Sequence, residues 1–302
     1  MNKISKSVLF ILAVFLFTVL CTLSCKKENS GASAADEENA SLSASESNAE
    51  AEFVFNDVFD NVMGVNNEVG MQGTGVFGRI MNGNTAGERP LSCFMVTITQ
   101  LAAPNVFPLQ IIIDFGAGCE GKDGHVRKGK IIATYSGRLI VPGKSAVVSF
   151  DGFYIDSIGV EGTETIANTT VAGNRQFTID VTNAKLSKLN GNYTAWNNHK
   201  VITQTDGLNT PDFALDDVFT IEGNASGQLK KGDLLATWQS EIETPLIKKF
   251  LCRWIVQGKI KTTLGASTAN SKWVAELDYG SGTCDGHASV TINGTTHEIS
   301  LH

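Results

Sequence analysis

Ser289-Val290-Thr291-Ile292-Asn293-Gly294-Thr295-Thr296-His297-Glu298-Ile299-Ser300-Leu301 is two short β-prone runs joined by Asn-Gly. Asn-Gly supplies the two positive φ angles of a type I′ turn, whose twist matches that of the strands it joins. The stretch therefore reads as a β-hairpin. Arg253 to Lys261 repeats the theme. Trp254, Val256 and Ile260 fall on one face, and Arg253, Gln257, Lys259 and Lys261 on the other, with Ile255 as the exception. Such alternation fits a half-buried antiparallel strand.

The same period predicts strands over Phe94–Thr99, Leu109–Phe115, Lys130–Ile140, Ala146–Ile155 and Phe177–Leu186. Further strands are expected over His199–Gln204, Phe213–Ile221, Leu234–Ile242 and Trp273–Tyr279. Gly, Asn and Lys clusters separate them. One stretch has helical spacing: Phe53 to Met63, where Phe55, Phe59 and Val62 recur. The fold expected is all-β and mainly antiparallel, a β-sandwich or an extended meander.

A chain of 302 residues can bury one large core or two small ones. Its charge is unevenly spread. Lys3 and Lys6 lie in the leader, and the chain from Cys25 onward carries −9. Residues 25–52 hold −5 of that, so residues 53–302 are nearly neutral at −4. A nucleic-acid partner needs a basic face, and this balance provides none.

Residues 1–24 have the layout of a signal peptide: a basic start, an apolar run from Val8 to Leu20, then Thr22-Leu23-Ser24-Cys25. The apolar run is short for a membrane span. Its end resembles a bacterial lipobox, although Leu23 stands two residues before the cysteine where three is usual. That resemblance implies cleavage before Cys25 and acylation of its thiol, with the acyl chains holding the protein on a membrane. Residues 26–52 are nearly all Ser, Ala, Glu, Asn, Asp and Gly. Segments of that composition bury little apolar area, so residues 25–52 are expected to be a disordered tether spanning roughly 25–35 Å.

An internal repeat organises residues 53–302. Asn56-Asp57-Val58-Phe59 echoes Asp216-Asp217-Val218-Phe219. Asp114-Phe115-Gly116-Ala117-Gly118-Cys119 echoes Asp278-Tyr279-Gly280-Ser281-Gly282-Thr283-Cys284, and His125 and His287 follow. Residues 53–141 and 213–302 thus read as two similar units, with 142–212 connecting them. The repeat suggests the pairs Cys93–Cys119 and Cys252–Cys284. An exported domain meets oxidising conditions, where such bonds persist. Four buried free thiols are the alternative. A zinc site would need paired cysteines such as Cys-x-x-Cys, which the sequence lacks.

Candidate functional residues are few. Trp196-Asn197-Asn198-His199 places an indole beside amides, a combination that stacks on a sugar ring and bonds its hydroxyls. The competing role for Trp196 is to cover one sheet face. Asp114 and Asp278 end apolar strands before glycine turns, where an Asp commonly bonds backbone amides two residues on. Glu120, Asp123 and His125 crowd one loop without the spacing of a calcium loop. His125, Arg127, Lys128 and Lys130 form a basic stretch suited to a solvated strand edge. There is no His-Glu-x-x-His, no Gly-x-Ser-x-Gly and no P-loop. No motif asks for a cofactor or a metal. A glycosidase carboxylate pair has no local motif, so its absence cannot be read from sequence.

The repeated Asp-aromatic-Gly turn, the stretch Arg127-Lys128-Gly129-Lys130-Ile131-Ile132 and the ending Val290-Thr291-Ile292-Asn293-Gly294 resemble a family of uncharacterised Bacteroidota lipoproteins. The resemblance covers most of the chain after residue 53. It implies the same export route, and with Cys25-Lys26-Lys27-Glu28 an outer-membrane, surface-facing location. It implies no activity. The expectation is a lipid-anchored, non-enzymatic binding or structural module with a glycan or protein ligand. The alternative is a carbohydrate-active enzyme that hydrolyses glycans at the cell surface.

Overall fold

Strands joined by short turns pair with their neighbours in sequence, because the turns are too short to reach farther. The computed structural model describes residues 34–66, 93–210, 213–265 and 273–301. In it the strands run β1 (Met95–Gln100), β2 (Leu109–Asp114), β3 (Cys119–Glu120), β4 (Val126–Tyr135), β5 (Ser145–Ile155), β6 (Ile158–Asn168) and β7 (Gln176–Lys188). They continue as β8 (Tyr193–Asp206), β9 (Val218–Lys231), β10 (Leu234–Lys249), β11 (Ile255–Leu264), β12 (Val274–Ser281), β13 (His287–Ile292) and β14 (Thr295–Ser300). All belong to one antiparallel sheet in chain order, with the short β3 added beside β4. The architecture is the meander, not the sandwich.

The hairpin read from Asn293-Gly294 is present as β13 and β14, with φ of 50° at Asn293 and 85° at Gly294. Both disulfides form as the repeat suggested, Cys93–Cys119 and Cys252–Cys284. Each ties the chain just before one strand to the chain just after the next, around β1–β2 and around β11–β12. The two glycine turns also match. Asp114 accepts from the Gly116 amide and Asp278 from the Gly280 amide, each at 2.8 Å. The other echo fails as structure: Asn56–Phe59 is helical, whereas Asp216–Phe219 leads from a 3-10 turn into β9. The correspondence is therefore confined to the disulfide-tied strand pairs and the turns that follow them.

Bulges interrupt the β4–β5, β6–β7, β7–β8 and β10–β11 ladders. Bulges strengthen local twist and bend a sheet. This sheet curls around the helix α1 (Ala34–Met63). Every residue of α1 from Asn48 to Met63 is buried, so the helix has no solvent face over that length. Phe55 stacks on Trp196 of β8 with centroids 5.4 Å apart and meets Phe150 of β5 edge-on at 6.2 Å. Phe59 packs on Phe250, which continues to Phe219 at 4.9 Å. Tyr135 of β4 donates to the Val62 carbonyl at 2.7 Å. Close approach is also built in on the sheet: a side chain at Gly227 would meet the Trp238 ring at 2.3 Å, so only glycine lets that indole lie across β9.

The helix expected over Phe53–Met63 is present and starts far earlier. Residues 34–52 are helical, not a disordered tether, and residues 40–52 are largely buried against the sheet; residues 25–33 lie outside the described residues. The composition argument failed for two reasons. Ala and Glu are strong helix formers. The carboxylates of Glu46, Glu50 and Glu52 and the amide oxygen of Asn48 find partners on the sheet. Cys25 and the apolar leader also lie outside the described residues, and among the described residues no helix is long and apolar enough to cross a membrane.

Phe55→Ala removes a ring held between Trp196 and Phe150 and is expected to destabilise by about 3–5 kcal/mol, read as a lower urea midpoint. The exposed Val171→Ala should shift that midpoint by less than about 0.5 kcal/mol.

Candidate functional site

An α-helix that is buried all round must bring its polar side chains inside with it, and each needs a partner. The helix supplies acids and the sheet supplies cations. Asp57 receives Arg127 of β4 in a two-pronged contact, Nη2 to Oδ1 at 2.6 Å and Nε to Oδ2 at 2.9 Å. Asp60 receives Lys248 of β10 at 2.8 Å. Glu52 receives Lys200 of β8. Toward the start of the buried stretch, Glu50 pairs with Lys188 at 2.7 Å and Glu46 with Lys231 at 3.2 Å. Asn48 accepts from the Trp196 indole at 3.0 Å.

Arg127 is fully buried. Burial alone would favour its neutral form, but Asp57 and Asp123 outweigh that and hold the guanidinium more firmly charged than usual. The basic stretch expected to be a solvated edge is thus split. Arg127 points inward, and Lys128 lies over the Tyr154 ring at 4.0 Å. The crowded loop also disperses. Asp123 turns to Arg127 at 2.8 Å, and His125 turns to Asp156 at 2.6 Å. Burial raises the Asp123 carboxyl, but its bond to Arg127 prevails and lowers it. Among the described residues no group of His, Cys, Asp and Glu is placed to hold a metal.

Three carboxyls go the other way. Burial pushes Glu164 of β6 up to about 8 against the pull of Lys200. Burial pushes Asp217 to about 7 against Arg175, and Asp60 to about 6 against Lys248. All three side chains are buried.

The proposed sugar-binding residues do not form a surface platform. Trp196 is 0% exposed, covered by Phe55 on one face and bonded through its nitrogen to Asn48. Its ring is unavailable to a glycan, because the inward face of β8 lies against the helix. Asn198 is also buried and accepts from the Val181 amide. Asn197 and His199 face outward, where Asn197 accepts from the Asn183 amide and His199 meets Asp180 at 2.6 Å. The four residues therefore divide between the two faces of one strand.

The open concavity is elsewhere. A cavity of about 390 Å³ lies between helix residues 46–50, the ends of β7 and β9, the start of β8 and the end of β14. Its origin is the helix itself. Ser43, Ala44, Ser45, Ser47, Ala49 and Ala51 make the early turns slim, whereas Phe53, Phe55 and Phe59 fill the later ones. The sheet is wide enough for phenylalanines, so the slim turns leave space beside them.

Strand parity carried a signal of the charged lining. Arg127 shares its face with Ile131 and Tyr135, Glu164 with Ile166, Lys200 with Trp196 and Ile202, and Lys248 with Leu246 and Phe250. A charge on an apolar face asks for a buried partner. The sequence does not say which segment brings it.

No protein-family model, curated protein or solved structure matches the chain.

Arg127→Met leaves Asp57 buried without its cation and should cost about 3–5 kcal/mol, measured by urea unfolding. Pairing it with Asp57→Leu should restore much of that loss. The raised carboxyls set a pH slope of definite sign. Between their ordinary values and their folded values the folded state holds more protons than the unfolded chain, so their contribution to stability falls as pH rises. For Glu164 that window runs from about 4.5 to about 8. Glu164→Gln should flatten the decline in melting temperature over this range. At pH 8 it should raise that temperature by about 2–4 °C, the shift that about 1 kcal/mol makes in a domain of this size.

Proposed function

We propose that the chain is an exported lipoprotein, anchored through Cys25, that carries a non-enzymatic binding or structural module on the outer membrane, facing outward. The leader and the lipobox-like Thr22-Leu23-Ser24-Cys25 support the export route. Only residues 26–33 separate Cys25 from α1, a reach of at most about 26–29 Å when fully extended. The anchor would thus connect directly to the helix that fills the sheet, and a pull on it would be resisted by the ion pairs at Glu46, Glu50, Glu52, Asp57 and Asp60.

The observation that carries the non-enzymatic reading is the separation of the acids with raised pKa from the cavity of about 390 Å³; the opening that Asp57 and Asp60 line holds only about 10 Å³. Hydrolysis of a glycoside needs converging carboxyl groups in a cleft, one of them with a raised pKa. Asp60, Glu164 and Asp217 have raised values but do not line the large cavity. The enzyme reading retains one supporting feature. Glu46 and Glu50 are four residues apart on one helix face and both line the cavity. Each is matched by a lysine, which suits binding better than proton transfer.

Palmitate labelling should mark the wild-type protein and fail on Cys25→Ala, which should also leave the membrane fraction. A Cys25→Ala protein that remains labelled and membrane-bound would overturn the anchor. Protease treatment of intact cells should remove the β domain if it faces outward. Release of reducing ends from polysaccharides by the purified protein would overturn the non-enzymatic reading.

A further inference from the structure

A cavity selects its ligand by what its wall leaves to be satisfied. The helix contributes Glu46 and Glu50 to this one, β7 contributes Lys188, β9 contributes Lys230 and Lys231, and β14 contributes Glu298. Acids and cations are equal in number, so the wall has no net charge to draw an anion or a cation. Ser47, Asn192, Tyr193, Thr194 and Ser300 add neutral donors and acceptors. An apolar ligand would strip water from all of these and return no hydrogen bonds. A ligand with hydroxyls on every side can accept from the lysines and donate to the carboxylates, forming charge-assisted bonds without carrying charge.

Two further features narrow the ligand. The Tyr193 ring lines the space beside Ile299 and Leu301, which provides an apolar surface for the C–H face of a ring. Lys185 lies over the Tyr193 ring at 5.5 Å, which fixes one side of that ring. The wall is also held in place before any ligand arrives. The Lys188–Glu50 bond joins β7 to the helix at 2.7 Å, and Glu50 is almost wholly buried. Thr194 beside it is buried too. Preformed polar walls lower the ordering cost of binding. At about 390 Å³ the space falls at the small end of ligand sites.

From this wall we infer that the cavity between the early turns of α1 and the ends of β7, β9 and β14 binds a neutral saccharide of one or two rings. The inference rests on the binding-module reading and names the ligand class and its place. It moves the sugar contact from the buried Trp196 to Tyr193, Glu50 and Lys188. The small helix residues Ser47 and Ala49 are what keep the space open.

The test is calorimetric titration of the full mature chain with a panel of neutral mono- and disaccharides, run beside sialic acid and glucuronic acid as charged controls. Three variants accompany it: Glu50→Gln, Tyr193→Ala and Ser47→Phe, each checked for a cooperative melt. Saturable binding of a neutral sugar is expected. It should weaken about 10-fold in Glu50→Gln, the effect of one lost charge-assisted bond. It should be abolished in Ser47→Phe, whose ring occupies the space. Because Ser47 is only partly buried, that variant should still fold. No binding of any neutral sugar by folded wild-type protein would overturn the inference, as would binding confined to the acidic sugars. Neutral-sugar binding unchanged in all three folded variants would place the site elsewhere and overturn the cavity assignment, while leaving the binding-module reading standing. Cleavage of a bound disaccharide, blocked by Ser47→Phe, would uphold the site and overturn the non-enzymatic reading instead.

Discussion

A helix surrounded by a sheet can keep its carboxylates ionised only if the sheet meets each one with a cation. The contact between Arg127 and Asp57 is the strictest case. Both side chains are buried, the fork is two-pronged, and Asp123 binds the same guanidinium from the other side. Removing a charged group from water costs several kcal/mol, which only close geometry and additional hydrogen bonds offset. The register of α1 within the sheet follows from this demand. A slip by one residue would rotate Glu52, Asp57 and Asp60 away from Lys200, Arg127 and Lys248 together and break all three buried ion pairs at once.

The same pairing explains why an acidic, serine-rich segment folds at all. Phe53, Phe55, Phe59 and Met63 provide apolar burial at one end of the helix. At the other end Ala44, Ala49 and Ala51 bury little, and the polar partners Lys188, Lys231 and Trp196 hold the turns in place. The division of labour along one helix also divides the interior. Where rings fill it the core is closely packed, and burial raises the Asp60 carboxyl. Where alanine and serine line it the interior opens into the polar cavity.

The two disulfides act at the periphery of this arrangement. Each staples a strand pair, β1–β2 or β11–β12. Arg253, next to Cys252, reaches Asp123 in the loop that follows Cys119, with Nη1 3.4 Å from the carboxylate. Strands far apart in sheet order are therefore joined by side chains near the Arg127–Asp57 contact. The curl of the sheet and the burial of the helix are two descriptions of one set of contacts.

The sequence by itself determined most of the strands, though not β6 (Ile158–Asn168) or the short β3, together with their mainly antiparallel character, the Asn293-Gly294 hairpin, the matching Asp114 and Asp278 turns and the cysteine pairing. Each of these is set by neighbours within a few residues, or by a repeated local pattern, and local patterns are visible in one dimension. Tertiary structure alone decided that the helix through residues 40–52 lies against the sheet, that Trp196 faces inward and that Arg127, Lys200 and Lys248 are buried. These depend on partners 70 to 188 positions away in the chain. Composition treats Ser, Glu and Lys as residues for water. Their placement was settled by complementary charge across a long separation, which no local period records.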